Sequence, residues 1–348
     1  MCGIIGYIGD KQAQPILLNA LGKLEYRGYD SCGIAVGAGG IKVYKDTVRV
    51  KALAKMMPRL KGMAGIGHTR WATHGKPSPA NAHPHLDCTG NIAVVHNGII
   101  NNFQSLRQQL TAEGHKLASE TDTEVIAHLI EKYYAKHDKN LEKAVEAALH
   151  DIEGSYALLV MAAGEPALVA ARKDSPLIIG IGDRENFVAS DVPAILDYTN
   201  RVIYLEDGDI GVINNNSVRI KNKGTKVKRQ EHKILWSIED AQKAGYDHFM
   251  LKEIHEQPKV IRDTLAEWIS APEPVLDLAI MCKGIEPILI LACGTSYYAA
   301  LIGKYLVEEQ LGIPVRVELA SEFNYSTQSL TNPGAIPSPA RPPTRSKL

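Results

Sequence analysis

Cys2 is the residue whose position alone could support chemistry, because it directly follows the initiator methionine. If Met1 is removed, Cys2 carries a thiol and a free α-amine on the same Cα. An unperturbed terminal amine has a pKa of about 7.7–8.0 and a cysteine thiol one of about 8.5, so a nucleophile and a general base would sit in one residue. Because most buried cysteines only pack, this interpretation needs support from further motifs.

The segment from Thr69 to Pro77 contains side chains suited to binding a small charged molecule. Gly75 and Pro77 disfavour a helix, so we predict a loop here. The guanidinium group of Arg70 has a planar, forked geometry that matches a carboxylate. Trp71 is a large, rigid side chain that could cover a pocket.

Three histidines in this part of the chain raise the alternative of a zinc site. They are His74, His83 and His85. His83 and His85 flank a proline, no carboxylate or cysteine lies at a ligand-like spacing, and Cys88 alone is not enough. We therefore predict no metal, and we interpret these histidines as groups that orient others through hydrogen bonds.

Two further motifs have both a structural and a chemical interpretation. Asn97-Gly98 follows an apolar strand, where such a pair usually forms a turn, although the Asn97 carboxamide and the Gly98 N–H could also form an oxyanion hole. The pattern from Thr121 to Glu124 predicts a capping box with Thr121 as the N-cap of a helix. Asp122 would then complement the helix dipole in the first turn, or present its carboxylate to an ammonium group.

A phosphate-binding loop is predicted later in the chain. Residues 287–292 form an apolar strand, and Gly294, Thr295 and Ser296 lead from it into an apolar helix. Backbone N–H groups and two hydroxyls at a helix N-terminus can bind a phosphate. A second strand completes one βαβ unit, but many α/β proteins contain such a loop.

The elements that must position these residues indicate an α+β fold. A strand at residues 4–8 and a helix from Pro15 come first, and helices follow the Asn97 motif. From Tyr156 to about Ile220, short apolar runs alternate with turns, which predicts an antiparallel meander. This order predicts two layers of sheet covered by helices.

Composition excludes several classes of function. The 348 residues predict about two domains. Lys plus Arg and Asp plus Glu number 39 each, and the resulting net charge of zero argues against nucleic acid or a membrane surface as a partner. No apolar run reaches membrane-spanning length, and the N-terminus has no signal-peptide pattern. Because five cysteines without a CxxC pair fit reduced thiols, we expect a cytoplasmic enzyme or binding protein.

Taken together, these motifs closely resemble those of the glutamine–fructose-6-phosphate aminotransferases, also called glucosamine-6-phosphate synthases. The resemblance extends over roughly residues 1–332. The matching segments are Cys2–Gly6, Leu24–Ser31, His68–Gly75, Asn81–His85, Val94–Ile100, Ser119–Glu124 and Cys293–Ser296. The signals at Cys2 and Asn97-Gly98 alone would fit any class II glutamine amidotransferase.

The resemblance implies an N-terminal-nucleophile (Ntn) hydrolase fold, a four-layer αββα sandwich, followed by the start of an α/β sugar isomerase (SIS) domain. The expected parts are a glutaminase domain at residues 1–240, a linker and helix at 241–285, an incomplete sugar isomerase domain at 286–332 and a disordered tail at 333–348.

The resemblance also implies L-glutamine as the substrate, no cofactor, and a role for each matching residue. Cys2 is then the nucleophile that forms a glutamyl thioester, its freed amine is the base, and Asn97 and Gly98 hold the oxyanion. Arg70 pairs with the α-carboxylate of glutamine and Asp122 with its α-ammonium. The other implied residues are Trp71, Thr73, His74 and His83 at the glutamine pocket, Arg27 in a loop near the ammonia path, and Gly294, Thr295 and Ser296 at a sugar phosphate.

The last residues depart from the family pattern, because proline and arginine become frequent after about Ala335. We expect a frameshifted or prematurely terminated gene, an active glutaminase, and lost or impaired transfer of ammonia to fructose 6-phosphate. That sugar is then a ligand only if the second domain functions. The alternatives are a sugar-phosphate-binding or regulatory module with an inactive glutaminase fold, and another class II amidotransferase. The oligomeric state is left open, a homodimer included.

Overall fold

A computed structural model describes residues 2–72, 75–235, 246, 248–270 and 288–323 of the chain. The chain divides into two compact units, Met1–Ala241 and Gln242–Leu348. Among the helices of these described ranges, none has the length and apolar character needed to cross a membrane. The tail expected at residues 333–348 lies outside the described residues.

The first unit is built from strands, which two groups of helices interrupt along the chain. Its strands are β1 (Gly3–Gly9), β2 (Ser31–Gly37), β3 (Ile41–Asp46), β4 (Ala64–Arg70), β5 (His85–Leu86), β6 (Ile92–Ile100), β7 (Gly154–Ala162), β8 (Leu168–Lys173), β9 (Ile178–Ile181), β10 (Glu185–Ala189), β11 (Arg201–Tyr204), β12 (Asp209–Ile213), β13 (Val218–Asn222), β14 (Thr225–Val227) and β15 (Glu231–Lys233). Its helices are α1 (Ala13–Leu24), α2 (Val50–Met56), α3 (Phe103–Ala112), α4 (Glu124–Lys136) and α5 (Leu141–Asp151), with 3-10 turns at Glu25–Arg27 and Val192–Ala194.

Two antiparallel sheets form the centre of this unit. Sheet A has the strand order β15-β11-β9-β10-β1-β4-β2-β3, and sheet B has the order β14-β13-β12-β8-β7-β6-β5. The prediction of one meander from Tyr156 onward is therefore wrong. The chain runs through β7 and β8 in sheet B, passes to sheet A for β9 to β11, and returns to sheet B at β12. Strands of either sheet share the same alternating apolar pattern, so the pattern does not report which sheet a strand joins.

The alternation of side chains along the strands produces three apolar layers. In β1, Ile5 packs on the side of sheet A that carries α1, whereas Ile4 lies between the two sheets. In β7, Leu159 lies between the sheets and Leu158 packs on the side that carries α3 to α5. The order is helix, sheet, sheet, helix, which confirms the expected four-layer α+β sandwich.

Strand β1 is buried along its whole length and holds the start of the chain in place. It pairs with β4 on one side and with β10 on the other. A Cβ atom on Gly6 would lie 2.5 Å from Cδ2 of Leu159, so glycine is required where the two sheets meet. Cys2 therefore directly precedes a strand that is fixed on both edges and against the opposite sheet.

The predicted capping box before α4 is wrong. The N-cap of this helix is Thr123 and its side chain makes no capping hydrogen bond, so Asp122 precedes the helix and is not in its first turn. The Glu124 carboxylate instead accepts hydrogen bonds from the backbone N–H and the hydroxyl of Ser119, at 2.6 and 2.8 Å. Thr121 bonds to the same Ser119 hydroxyl. These stronger local partners outcompete the capping geometry.

The described elements of the second unit are α6 (Phe249–Ser270), β16 (Ile288–Ala292), α7 (Thr295–Leu311), β17 (Val315–Leu319) and α8 (Ala320–Phe323). Strands β16 and β17 pair in parallel, with Ile288 opposite Val315. Helix α7 connects them, which confirms the predicted βαβ unit.

Candidate active site

Cys2 is half-buried in front of β1, and its thiol contacts the backbone of Trp71. The Trp71 N–H donates a hydrogen bond to Cys2 Sγ at 3.2 Å, and the thiol lies within donating distance of the Trp71 carbonyl oxygen, at 3.5 Å. Burial raises the pKa of the Cys2 thiol, while the Trp71 N–H, the terminal amine and the guanidinium groups of Arg70 and Arg27 oppose this rise. Since burial prevails, a base is needed to form the thiolate at neutral pH.

The approach of Trp71 to the thiol depends on Gly28, in the loop that follows α1. A Cβ atom on Gly28 would lie 2.7 Å from the backbone nitrogen of Trp71 and 2.7 Å from the carbonyl carbon of Arg70. Asp30 fastens the same corner, because its N–H donates to the Arg70 carbonyl at 3.0 Å. The segment from Leu24 to Ser31 therefore holds the end of β4 against Cys2.

Trp71 presents its indole ring at the surface. The side chain is 46% exposed and meets the Tyr29 ring edge-on, with centroids 5.7 Å apart. Thr73 and His74, which the family resemblance assigns to the glutamine pocket, lie outside the described residues. The exposed indole is compatible with a residue that covers a bound ligand, and this role stays a prediction.

Arg27 is buried and anchors the start of the chain. Its Nε donates a hydrogen bond to the carbonyl oxygen of Cys2 at 3.1 Å, and its Nη1 pairs with Oδ2 of Asp191 at 3.1 Å. The structure thus gives Arg27 a direct contact with the residue that carries the thiol. A place near an ammonia path stays a prediction.

Asn97 projects its carboxamide toward Cys2 from the opposite sheet. Its Nδ2 donates to the carbonyl oxygen of Cys2 at 2.9 Å and to the hydroxyl of Ser190 at 3.3 Å. Asn97 and Gly98 both belong to β6, where Gly98 pairs with Tyr156 of β7, so the alternative of a turn is wrong. Both hydrogens of Nδ2 are thus engaged by protein oxygen atoms, and the role of this carboxamide in an oxyanion hole stays a prediction.

Gly98 is a position where the backbone permits no side chain. Its φ of +137° lies in the region that favours glycine, and a Cβ atom would lie 2.0 Å from the carbonyl oxygen of Ser155. The residue after Asn97 can therefore leave the regular strand path at the exposed end of β6, next to the carboxamide.

His68 fixes the direction of the Asn97 carboxamide, and the sequence analysis missed this role. His68 Nε2 lies 2.9 Å from Asn97 Oδ1 and 3.1 Å from the carbonyl oxygen of His96. Burial lowers the pKa of His68 to about 3, so the ring is neutral. Because both of its Nε2 neighbours are oxygen atoms, Nε2 carries the proton, which leaves the Asn97 Nδ2 side to face Cys2. The signal for this role in the sequence was a histidine within an apolar strand. The structure pairs it with Ile4 of β1.

His83 and His85 continue this buried group of aromatic rings. The His83 ring stacks on His68 with centroids 4.1 Å apart and meets the His85 ring edge-on at 4.8 Å. His85 Nε2 lies 3.1 Å from the hydroxyl of Thr121. Burial lowers the pKa of His83 and of His85, so both rings are neutral at pH 7. The hydrogen bond of His85 agrees with the predicted orienting role, whereas the described contacts of His83 are ring contacts and its Nδ1 has no hydrogen-bond partner among the described residues.

Arg70 and Asp122 place opposite charges in the same buried region. Arg70 is the last residue of β4 and not part of a loop, and its Nη2 donates to the carbonyl oxygen of Gly75 at 3.2 Å. Burial lowers the pKa of Arg70, and the nearby Cys2 and Asp122 oppose this shift. Asp122 Oδ2 accepts the backbone N–H of Ile100 at 2.9 Å, which ties it to the end of β6. A cation and a carboxylate suit the two charged ends of a zwitterion.

The predicted phosphate loop lies between β16 and α7, as the sequence indicated. Gly294 adopts a φ of +58° and is the N-cap residue of α7, and Thr295 and Ser296 are exposed in its first turn. A role of these three residues in binding a sugar phosphate stays a prediction.

Comparison with known proteins identifies the class of domain to which these residues belong. Residues 68–197 match the family model described as a glutamine amidotransferase domain. Among solved structures, the chain is similar to glutamine phosphoribosylpyrophosphate amidotransferase from B. subtilis complexed with ADP and GMP, with a TM-score of 0.58 and 22% identity over 91% of this chain and 65% of that chain. A structure described as the allosteric regulatory enzyme of purine biosynthesis gives a TM-score of 0.57 at 23% identity, with the same coverage. The chain thus contains a glutamine amidotransferase domain with the N-terminal-nucleophile fold.

Curated relatives give a narrower assignment. The glutamine–fructose-6-phosphate aminotransferase [isomerizing] of Methanothermobacter thermautotrophicus is 50% identical over 336 residues, which are 95% of this chain and 56% of that protein. The enzyme of the same name from Caldanaerobacter subterraneus subsp. tengcongensis is 51% identical over 335 residues, which are 93% and 55% of the two chains. The chain is therefore similar to glutamine–fructose-6-phosphate aminotransferases over nearly all of its own length, and it spans little more than half the length of these relatives.

We expect the free energy of unfolding to fall as the pH drops from 7 to 5, because the site buries neutral histidines. The folded-state pKa of His68 is about 3 against an ordinary value of 6.5, so in this range the unfolded chain binds a proton that the folded protein excludes. Each such histidine removes up to about 1.4 kcal/mol per pH unit below pH 6.5. His83 acts in the same direction.

Urea unfolding monitored by circular dichroism at several pH values would measure this dependence. The variant His83→Phe keeps a stacked ring without a titratable group, so its loss of stability between pH 7 and 5 should be smaller than that of the unmodified protein. His150→Gln replaces an exposed histidine of α5 and serves as the control. Equal slopes for His83→Phe and the unmodified protein would contradict the prediction.

Proposed function

We propose that the first unit hydrolyses L-glutamine to glutamate and ammonia through a glutamyl thioester on Cys2. The hydrogen bond from Asn97 Nδ2 to the carbonyl oxygen of Cys2, at 2.9 Å, is the observation that carries this proposal. It sets a fixed amide donor beside the residue with the thiol, in a chain that contains a glutamine amidotransferase domain. A thiol and a separate donor for negative charge are the two groups that acyl transfer from an amide needs.

Before any reaction, removal of Met1 converts the amide nitrogen of Cys2 into a basic amine. This amine accepts the thiol proton while Sγ attacks the carboxamide carbon of glutamine. The raised pKa of the thiol explains why an adjacent base is required. The Trp71 N–H, 3.2 Å from Sγ, stabilises the thiolate as it forms.

The negative charge that develops on the carboxamide oxygen is taken up by the end of β6. In this proposal one donor is the Asn97 Nδ2 hydrogen that faces the Ser190 hydroxyl at 3.3 Å and turns to the oxyanion, while the other Nδ2 hydrogen stays on the Cys2 carbonyl oxygen. The second donor is the backbone N–H of Gly98. His68 supports the first donor by holding Asn97 Oδ1, at 2.9 Å. Because His68 is neutral and buried, it keeps the carboxamide in one orientation without adding a charge that would compete for the oxyanion.

The tetrahedral intermediate then collapses with cleavage of the C–N bond. The protonated Cys2 amine returns its proton to the leaving nitrogen, and ammonia departs. A water molecule attacks the thioester carbonyl in the second half of the reaction, with the same amine as base. Glutamate is released and the free thiol is restored, so glutamine and one water molecule are the only reactants consumed.

Glutamine is selected through its charged ends. We assign Arg70 to the α-carboxylate, because a guanidinium fork pairs with two carboxylate oxygens, and Asp122 to the α-ammonium. Trp71, Thr73 and His74 would close the pocket, and His83 supports it by stacking on His68. A buried pair of opposite charges rejects amides that lack either charge, because the unmatched group would stay unpaired.

For this chain we propose the glutaminase half-reaction without formation of an aminosugar, although the relatives are named for fructose 6-phosphate. Within residues 288–323, the second unit shows one parallel strand pair and one long helix, whereas parallel sheets are normally covered on both faces. Large apolar side chains on α7 are exposed, namely Tyr298, Ile302, Tyr305 and Leu306.

We also propose a cytoplasmic location, which the free thiols of Cys2, Cys32, Cys88 and Cys293 support.

Replacement of Cys2 should abolish glutamate release. We expect Cys2→Ala to lower the rate by about three orders of magnitude or more, because no other group can form the acyl intermediate. Cys293→Ser, which removes an exposed thiol of the second unit, should leave the rate unchanged. Intact-mass analysis should show the active protein without Met1, and a lysine inserted between Met1 and Cys2 should block both trimming and activity. Full activity of Cys2→Ala would refute the thioester.

Loss of the Asn97 carboxamide should slow chemistry more than binding. We expect Asn97→Ala to lower kcat by about 100- to 1,000-fold with a small change in KM, as for other single oxyanion donors. Asn101→Ala removes an exposed carboxamide four residues further on and is the matched control. If Asn97→Ala keeps more than about a tenth of kcat, this residue does not stabilise the oxyanion.

The purified chain, incubated with glutamine and fructose 6-phosphate, should release glutamate without glucosamine 6-phosphate. The reason is that the described part of the second unit provides a single βαβ unit. Glutamate release in the same sample shows that the first unit is active, and mass spectrometry detects the aminosugar. Any fructose-6-phosphate-dependent aminosugar would overturn this part of the proposal and leave the glutaminase assignment intact.

A further inference from the structure

A second group of reactive side chains lies on residues that the glutaminase proposal does not use. Its members are Cys88, His115, His128 and Glu131. One ligand atom from each of the four lies within 4.8 Å of all the others. We propose that these residues bind a Zn²⁺ ion that fastens the turn between β5 and β6 to the helices α3 and α4.

The distances between the ligand atoms are close to those of an ion site. Cys88 Sγ lies 3.6 Å from His115 Nδ1 and 3.4 Å from His128 Nδ1. Glu131 Oε2 lies 2.8 Å from His115 Nδ1 and 3.2 Å from His128 Nδ1, and the remaining two pairs of ligand atoms lie within 4.8 Å. Ligands bonded to Zn²⁺ at about 2.0–2.3 Å in a tetrahedron are roughly 3.3–3.6 Å apart, so the two sulfur–nitrogen distances already fit and the other pairs would adjust as the ion binds.

The donor set favours zinc over the common alkaline-earth ions. One sulfur, two imidazole nitrogens and one carboxylate oxygen form a borderline-soft set, whereas Mg²⁺ and Ca²⁺ prefer oxygen ligands alone. Both histidines present the same ring atom, Nδ1, to the common centre. Four protein ligands in a closed tetrahedron are typical of a structural site.

The sulfur of Cys88 is placed to accept hydrogen bonds, which suits a thiolate ligand. The backbone N–H of Lys116 donates to Cys88 Sγ at 3.4 Å. With an ion in the centre, both Nδ1 atoms face it with their lone pairs and the proton of His128 resides on Nε2. That nitrogen lies 3.9 Å from Oε1 of Glu124, so a carboxylate is close to the outer side of the ligand, as is common for metal-bound histidines.

Rigid local structure supports three of the ligands. His128 and Glu131 are three residues apart on α4, so they project from the same face of the helix. Cys88 belongs to a turn in which Asp87 Oδ1 accepts the backbone N–H groups of Asn91 and Ile92, both at 2.8 Å. A ligand set that is held in place before the ion arrives loses less conformational freedom on binding.

The sequence analysis weighed Cys88 only with His74, His83 and His85, and judged that this cysteine alone was not enough for a metal site. The partners of Cys88 in the structure are remote in the chain. They follow it by 27, 40 and 43 residues, far from the short spacings that identify zinc motifs. The ion would join three separate segments around α4, whose N-terminal flank carries Asp122. It would thus stabilise the element next to the glutamine site without contacting the substrate.

Titration of the chelator-treated full chain with Co²⁺, a spectroscopic substitute for Zn²⁺, tests the site directly. The Cys2→Ala background removes the competing thiol at the N-terminus. We expect one equivalent of Co²⁺ to give the visible absorption of a tetrahedral site and a sulfur-to-cobalt charge-transfer band, both lost on addition of Zn²⁺. Cys88→Ser should abolish the charge-transfer band and weaken affinity by at least about 10- to 100-fold, while Cys293→Ser should change neither.

A second measurement avoids any variant at the site. Zn²⁺ should slow alkylation of Cys88 at least about tenfold, as mass spectrometry of the digested protein would show, because a bound thiolate is protected. Alkylation of the exposed Cys293 in the same sample should stay unchanged. The site is refuted if no cobalt–sulfur band appears, if Cys88→Ser retains it, or if Zn²⁺ leaves the alkylation of Cys88 unaltered. Neither readout depends on glutaminase activity.

Discussion

The hydrogen bond from Asn97 to the carbonyl oxygen of Cys2 joins the two sheets at the candidate active site. Cys2 precedes the central strand of sheet A, and Asn97 lies on β6 of sheet B. The neighbours of β1 on either side supply the support: His68 of β4 holds Asn97 Oδ1, and Ser190, directly after β10, receives the same amide group. Site geometry is therefore a consequence of how the two sheets stack, and not of one flexible loop.

Burial of uncharged histidines makes this support stiff. A charged imidazole in the same place would lose its hydration, and burial lowers the pKa of His68 and His83 accordingly. The segment that carries His83 is held from outside by Lys45, whose Nζ donates to the carbonyl oxygens of Ala82 and Pro84 at 2.6 and 3.0 Å. Burial lowers the pKa of Lys45 to about 8. Hydrogen bonds in such a poorly hydrated environment resist rearrangement, so the carboxamide keeps one orientation.

Sequence patterns predicted the secondary-structure elements and the family resemblance better than they predicted the contacts between side chains. Short runs of apolar residues located β1 and β7, because both faces of each strand are buried. Short-range rules failed for Asn97-Gly98, where they predicted a turn but β6 pairs with β7. They also failed for Thr121, where they predicted a cap but the side chain bonds to Ser119 and His85. The role of His68 and the partners of Cys88 were not predicted, because the contacting residues come from other parts of the chain. Pairwise contacts of this kind depend on the sheet order, which periodicity does not encode.

The anchoring of Cys2 also fits the proposal that its own amine serves as the base. Two donors, Arg27 Nε at 3.1 Å and Asn97 Nδ2 at 2.9 Å, hold the carbonyl oxygen, and β1 continues directly from it. With the carbonyl side of the residue fixed, the thiol and the nitrogen on the same Cα have little freedom to separate. While Met1 is attached, this nitrogen is part of a peptide bond and has no basic lone pair. Removal of one residue therefore supplies the missing proton acceptor, because the thiol, which burial holds in its neutral form, already lies beside the Trp71 N–H.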